Sequence, residues 1–234
     1  MSEFAEAFAA AFGLLLTLDR DLIGIIALSL RVSLTAVALA CVVGLPLGAA
    51  LALVRFPGRG AVIAVLNALM GLPPVVVGLV LYLFLSRAGP LGFLGLLFSP
   101  TAMILAQMVL VIPIVGAIAR QVIEDLWVEY AELLRSLCAT LPQSAMTLLW
   151  DARFSLLTGV LAGFGRAISE VGAILIVGGN IAYVTRTMTT AIALETSKGN
   201  LALALGLGIF LLGLSLLVSL AAQGIQQLAQ RRYA

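Results

Sequence analysis

Apolar residues fill five stretches of this chain, each long enough to cross a hydrocarbon core of about 30 Å, which takes about 20 such residues in a helix. They run from about Leu22 to Val54, Ala61 to Ser86, Ser99 to Ala119, Phe154 to Gly179 and Leu201 to Leu220. The pattern predicts an all-α polytopic membrane protein with about five transmembrane helices. The first stretch is longer than one span, so Arg31 within it is expected to snorkel to an interface and Pro46 to bend the helix. Ahead of it, Phe4, Phe8 and Phe12 recur at four-residue steps with Glu3 and Glu6 on other faces. That spacing predicts a short helix lying on the membrane within residues 1–21, and the acidic start speaks against a secretory signal peptide.

One stretch between spans is polar. Gln121 to Asp151 holds Glu124, Asp125, Glu129, Glu132, Arg135 and Asp151 among Leu and Ala. Leu133, Leu134, Leu137 and Leu141 recur at three- and four-residue steps, which predicts a short amphipathic helix with an apolar stripe. Such a stripe either packs back on the spans or lipid, or docks on another protein.

Charges inside apolar runs are rarer and more telling. Arg166 and Glu170 stand four residues apart in the fourth stretch, a spacing that places both on one helix face. Each would cost about 2.5 to 3.5 kcal/mol unpaired at a helix centre, so a pair facing a wet interior is expected. It reads equally as a lock on helix packing, aided by Gly159, Gly163, Gly165 and Gly172, or as part of a pathway. Asn67 and Gln107 are further polar points. The adjacent Pro73 and Pro74 must interrupt a helix, either as a packing kink or as a break near a cavity or gate.

Composition then removes whole classes of function. The chain has 234 residues, 62% of them hydrophobic and 10% charged, against about 25% charged in soluble domains. A water-soluble globule is excluded, and a net charge of +2 gives no basic nucleic-acid surface. There is no histidine, which removes Ser-His-Asp and Cys-His catalysis, imidazole zinc sites and His-ligated haem, and no metal site is expected. Cys41 and Cys138 are too few for a disulfide framework. The only lysine, Lys198, lies outside any Gly-x-x-x-x-Gly-Lys-Ser/Thr pattern, so the chain binds no ATP by that motif. Energy must come from a gradient, from a separate ATPase, or not at all.

Basic residues near the span ends set the orientation. With the first connection in the cytoplasm, Arg55, Arg59, Arg120, Arg135, Arg153, Arg231 and Arg232 lie inside, against Arg20, Arg87, Arg186 and Lys198 outside. This predicts an outside amino terminus and a cytoplasmic carboxyl terminus.

At this point a family resemblance appears. Glu132-Leu133-Leu134-Arg135-Ser136-Leu137-Cys138-Ala139-Thr140, followed by a span, resembles the coupling motif of ABC importer permeases: Glu-Ala-Ala, three residues, then Gly. Leu133 and Leu134 replace the alanines, Cys138 replaces the glycine, and Trp150-Asp151 stands where many members have Leu-Pro. The blocks Gly71–Leu79, Ser86–Gly92, Gly165–Ala173, Val177–Ile181 and Met188–Thr196 resemble tungstate importer permeases, close relatives of molybdate permeases. The likeness covers about Leu22 to Leu220.

The resemblance implies a single transmembrane domain of the type I importer fold over residues 1–234, with residues 121–151 as a cytoplasmic coupling segment. It also implies a homodimer in a prokaryotic inner membrane, two cytoplasmic ATPase subunits holding ATP-Mg, and an extracytoplasmic oxyanion-binding protein. Glu132, Leu133, Leu134, Leu137, Cys138, Ala139 and Thr140 then become candidate ATPase-coupling residues. Pro73, Pro74, Arg166, Ser169, Glu170, Gly172 and Asn180 become candidate pathway or gate residues. The chain itself would be no enzyme and bind no cofactor. Tungstate is the expected substrate, with molybdate or sulfate as alternatives. Arg186 reads either as an interfacial anchor or as an attractor for the anion. The rival from another class is a gradient-driven secondary transporter in which Arg166 and Glu170 relay ions.

Overall fold

Several helices of this protein begin at a proline or a capping residue. The structure, a computed structural model, describes residues 20–233, and these are helical apart from their connections. In chain order they form α1 (Arg20–Leu53), α2 (Arg59–Met70), α3 (Pro74–Leu85), a 3-10 turn at Gly92–Leu94, and α4 (Pro100–Ser136). Then follow α5 (Leu141–Asp151), α6 (Arg153–Ile168), α7 (Gly172–Gly178), α8 (Met188–Ser197) and α9 (Leu201–Tyr233). The expected surface helix at the amino terminus lies outside the described residues, apart from Arg20 and Asp21, which open α1.

Among the described residues, three segments are long and apolar enough to span a membrane alone: Asp21–Leu53, Pro100–Ser136 and Leu201–Ala221. Two broken pairs, α2 with α3 and α5 with α6, bring the number to 5 if each pair is one span. The break between α2 and α3 falls at Gly71-Leu72-Pro73, where Pro74 opens the new helix without needing an N–H partner. Pro46 and Pro113, by contrast, stand inside α1 and α4, which continue through them.

Two expectations are corrected. Phe154 to Gly179 is not one helix: α6 closes at Ile168, the chain leaves the helical path at Ser169–Val171, and α7 is only 7 residues long. The broken pair of spanning length is instead α5 with α6, bent by 75°. Likewise Leu133, Leu134, Leu137 and Leu141 do not share one short amphipathic helix. α4 runs unbroken through Gln121 to Ser136, so Leu133 and Leu134 belong to its end, Leu137 to a turn, and Leu141 to the start of α5.

The chain divides into two compact units. One comprises the residues up to Ala36, Pro73–Gln107 and Arg166–Leu217; the other comprises Val37–Leu72, Met108–Gly165 and the residues from Val218 on. In the first unit α3 lies directly on α7, and a Cβ added to Gly78 would come 2.8 Å from the Ala173 Cα. Only glycine permits that approach. Phe98 N–H donates to the Val177 carbonyl at 2.9 Å, tying the loop before α4 to the end of α7.

In the second unit α1 and α4 meet through Gly48, whose added Cβ would lie 2.5 Å from the Gly116 carbonyl oxygen. A buried cluster of Ala49, Leu53, Ala119, Ile123, Leu134, Leu148 and Leu156 joins α1, α4, α5 and α6. Leu148 anchors α5 in this cluster, with Ala145 and Leu149 packed against it, and a fully buried Leu contributes roughly 1.5 to 3 kcal/mol.

Candidate functional site

The fourteen candidate residues separate cleanly between the two units. Glu132 to Thr140 all lie in the second, and Pro73, Pro74, Arg166, Ser169, Glu170, Gly172 and Asn180 all lie in the first.

The candidate coupling residues form a turn between two helices. Glu132–Ser136 are the last residues of α4, and the chain then reverses through Leu137, Cys138 and Ala139. Cys138 has φ of +52°, the left-handed region. Its N–H donates to the Arg135 carbonyl at 3.0 Å, and the Ala139 N–H donates to the Leu134 carbonyl at 3.0 Å. These are the two bonds of a Schellman helix end, and the half-buried Ala139 packs against the cluster that holds Leu134. A glycine would take this left-handed position without a Cβ penalty, and Cys138 occupies it here. Next, the Thr140 N–H donates to Gln143 Oε1 at 2.9 Å and opens α5 with Pro142 in its first turn.

The turn sorts its side chains by exposure. Leu134 is buried, whereas Glu132, Leu133, Leu137, Cys138 and Thr140 are exposed. Leu141, Met146 and Trp150 on α5 are exposed as well, Met146 and Trp150 to about 70%. Arg153 stacks over Trp150 at 5.1 Å and over Phe154 at 4.7 Å, fixing the indole.

The ion pair forms, but not along a helix face. Arg166 is in the last turn of α6, and Glu170 follows two residues after the helix ends. Arg166 Nη1 donates to Glu170 Oε2 at 2.9 Å. The other carboxylate oxygen accepts the Ala173 N–H at 3.2 Å, supplying a partner at the start of α7. The Glu170 carbonyl accepts the Thr189 hydroxyl at 2.8 Å. Glu170 is thereby held from three sides, and its commitment to α7 is what breaks the expected span. Ser169 is exposed and its hydroxyl donates to the Arg166 carbonyl at 3.1 Å. An added Cβ on Gly172 would lie 2.7 Å from Val75 Cγ2, so the break after α6 meets the start of α3 just past Pro73-Pro74. Two interruptions read separately in the sequence are thus neighbours in space.

Asn180 lies close by in sequence but serves the loop. It has φ of +50°, its Nδ2 donates to the Thr190 carbonyl at 3.3 Å, and its buried Oδ1 has no partner among the described residues. Sequence reading left out the buried threonines that surround this loop. Thr187 Oγ1 lies 3.1 Å from Thr190 Oγ1, and Thr185 Oγ1 donates to the Gly178 carbonyl at 2.6 Å. The sequence hint was the density of Thr in Thr185-Arg186-Thr187-Met188-Thr189-Thr190. Gln107 was seen as a polar point without a role. It is 1% exposed, and its Nε2 donates both to Ser33 Oγ at 3.2 Å and to the Ala167 carbonyl at 2.8 Å, at the end of α6.

Two further charge clusters went unread. Glu124 pairs with Arg120, four residues earlier on α4, and with Arg59 at the start of α2; Arg59 Nε also donates to the Leu51 carbonyl at 2.6 Å, near the end of α1. The Arg120–Glu124 spacing was readable as a helix pair, whereas the Arg59 contact spans 65 residues of sequence. In the first unit the buried Glu195 accepts from Lys198 Nζ at 3.0 Å and from Asn200 Nδ2 at 3.1 Å. The Lys198 ammonium holds the Glu195 carboxyl below the usual carboxylate range; burial opposes this, and Asn200 and the Arg186 charge add to it.

No protein-family model matches the sequence. Individual relatives decide the matter. The chain is 43% identical over 200 residues, 83% of its length and 86% of the relative's, to a probable anion ABC transporter permease protein of Haloferax volcanii. The chain belongs to the anion ABC transporter permeases. It is also 40% identical over 227 residues, 97% of this permease and 100% of the relative, to the tungstate uptake system permease protein TupB of Peptoclostridium acidaminophilum. The TupB protein of Campylobacter jejuni is 35% identical over 207 residues, 88% of this permease and 87% of its own length. Sulfate transport system permeases match at lower identity. The permease is thus a multi-pass membrane subunit, separate from the ATPase of its transporter, and the gradient-driven alternative falls.

Proposed function

We propose that this permease forms the membrane pathway of an ATP-driven importer for tungstate, working as a homodimer. Two ATPase subunits holding ATP-Mg would dock at the turn from Glu132 to Thr140, and an extracytoplasmic binding protein would deliver the anion. The observation that carries the substrate is the 40% identity to a tungstate uptake permease over 97% of the chain. Sulfate permeases match less well, and molybdate shares tungstate's tetrahedral dianionic chemistry.

The exposed apolar surface of Leu133, Leu137, Leu141, Met146 and Trp150 supports the docking assignment, because such a patch on an anchored helix calls for a partner. The Schellman turn and the Leu148 anchor make α5 a rigid lever on the end of α4. ATP binding would move this lever and switch the pathway between its two openings, a rigid-body change driven by differential binding in two states. Pro73, Pro74, Arg166, Ser169, Glu170, Gly172 and Asn180 would line or gate that pathway. Their gathering in one unit, around the paired interruptions at Pro73-Pro74 and Ser169–Val171, supports this role. The distribution of basic residues supports an outside amino terminus and a cytoplasmic carboxyl terminus, and the membrane would be a prokaryotic inner membrane. The whole chain then acts as one importer domain.

The test is uptake of radiolabelled tungstate by cells expressing the permease with its ATPase and binding protein. Uptake that persists against a large excess of sulfate supports the assignment. Equal competition by sulfate would move the substrate, and no uptake of any oxyanion would overturn the importer reading.

A further inference from the structure

We propose that Arg166 is the side chain that meets the oxyanion within the membrane domain, and that Glu170 is a positioning residue that aims its guanidinium. The inference rests on the import reading above.

The two partners of the ion pair are not alike. The Glu170 side chain is 4% exposed, while that of Arg166 is 35% exposed. A pair whose purpose is to lock helices buries both ends, whereas this one buries the acid and presents the base. Glu170 also has fixed points independent of Arg166: its Oε1 on the Ala173 N–H and its carbonyl on the Thr189 hydroxyl. It therefore acts as a rigid post at the start of α7. Arg166 spends one nitrogen, Nη1, on that post. A guanidinium carries five N–H donors in a planar fork that matches tetrahedral oxyanions, and among the described residues Glu170 is the partner of this fork, held through Nη1.

Position supports the same conclusion. Arg166 stands in the last turn of α6, inside the stretch read as membrane-embedded, where a charge persists only with a partner or a wet cavity. The exposed Ser169 follows at the same break, and Gly172 brings the start of α3 against it. Gln107 donates to the Ala167 carbonyl next to Arg166, so the end of the helix that carries the arginine is fixed from a second side. The neutral pair attracts an anion weakly while it waits for delivery, which suits a pathway that must release its cargo.

The test uses the complete transporter in proteoliposomes, with the binding protein outside, and reads ATP hydrolysis and tungstate uptake together. In Arg166→Met, tungstate uptake is expected to fall further than the hydrolysis stimulated by the loaded binding protein. Tungstate moved per ATP is expected to fall at least about ten-fold, the equivalent of one charge-assisted contact. Arg166→Lys keeps the charge without the fork and is expected to fall between; it also decides the case if Arg166→Met does not assemble. Unchanged tungstate per ATP in both variants would overturn the proposal while leaving the importer reading intact. A parallel loss of hydrolysis and uptake would also overturn it, because it would mark the pair as a structural lock. If the wild-type complex moved no tungstate, the importer reading itself would fall.

Discussion

Glu170 reaches back to Arg166 at 2.9 Å from beyond the end of α6, and with its other oxygen accepts the Ala173 N–H in the first turn of α7. One carboxylate thus closes one helix and opens the next. The four-residue spacing that suggests a helical ion pair is satisfied by a different backbone path.

Replacing Glu170 separates its two duties. Glu170→Gln keeps an acceptor for the Ala173 N–H but removes the charge, whereas Glu170→Ala removes both. We expect Glu170→Ala to cost about 2 to 3 kcal/mol, below the range for fully buried pairs because Arg166 is partly exposed. Thermal unfolding of the detergent-solubilised permease should rank wild type above Glu170→Gln above Glu170→Ala. Equal losses in both variants would deny the capping role.

Cys138 sits at φ of +52° in the turn at the end of α4. Glycine adopts that conformation without a Cβ penalty, so Cys138→Gly should stabilise the turn by about 0.5 to 1 kcal/mol. Cys138→Val, which is β-branched, should destabilise it by more than that gain. Unfolding midpoints check the signs, and ATPase stimulation should survive in the glycine variant and fall in the valine variant.

Gln107 makes its two hydrogen bonds in a fully buried position. Gln107→Leu leaves the Ala167 carbonyl without this partner and should cost about 1 to 2 kcal/mol. Gln107→Glu turns the donor into an acceptor facing that carbonyl and should cost more. Unfolding midpoints of the two variants give the order, and a less harmful glutamate would contradict the hydrogen-bond assignment.

Glu195 supplies a pH dependence with a definite sign. Its pKa is lowered in the folded protein, chiefly by Lys198. The stability it gives is therefore fully present above the ordinary glutamate value of about 4.3 and is lost as pH falls through the depressed value. The gap in unfolding midpoint between wild type and Glu195→Gln should be widest near neutrality and close on acidification. A gap independent of pH would contradict the pairing.

Much of the membrane architecture was legible because apolar length is a strong signal. α1, α4 and α9 announce themselves as long apolar runs. The interrupted segments were harder, since Ser169–Val171 contain neither proline nor glycine and the break depends on where the Glu170 side chain finds its donors. Pro73-Pro74 marked its own break, yet its neighbour at Gly172 became visible only in space. At the turn after α4, the motif spacing marked candidate residues without their facing, for Leu134 faces the core while Leu133 faces out, a distinction set by α4 continuing to Ser136. The Arg59–Glu124 contact was invisible in the sequence, because it joins residues that only the fold brings together.

The central claim is that this permease couples ATP hydrolysis to tungstate uptake. Its most direct test is ATPase activity of the permease reconstituted in lipid with its ATPase and binding protein, titrated with tungstate, molybdate and sulfate. The account predicts stimulation by tungstate at the lowest concentration. Stimulation indifferent to the oxyanion, or a permease that assembles with no ATPase, would contradict it.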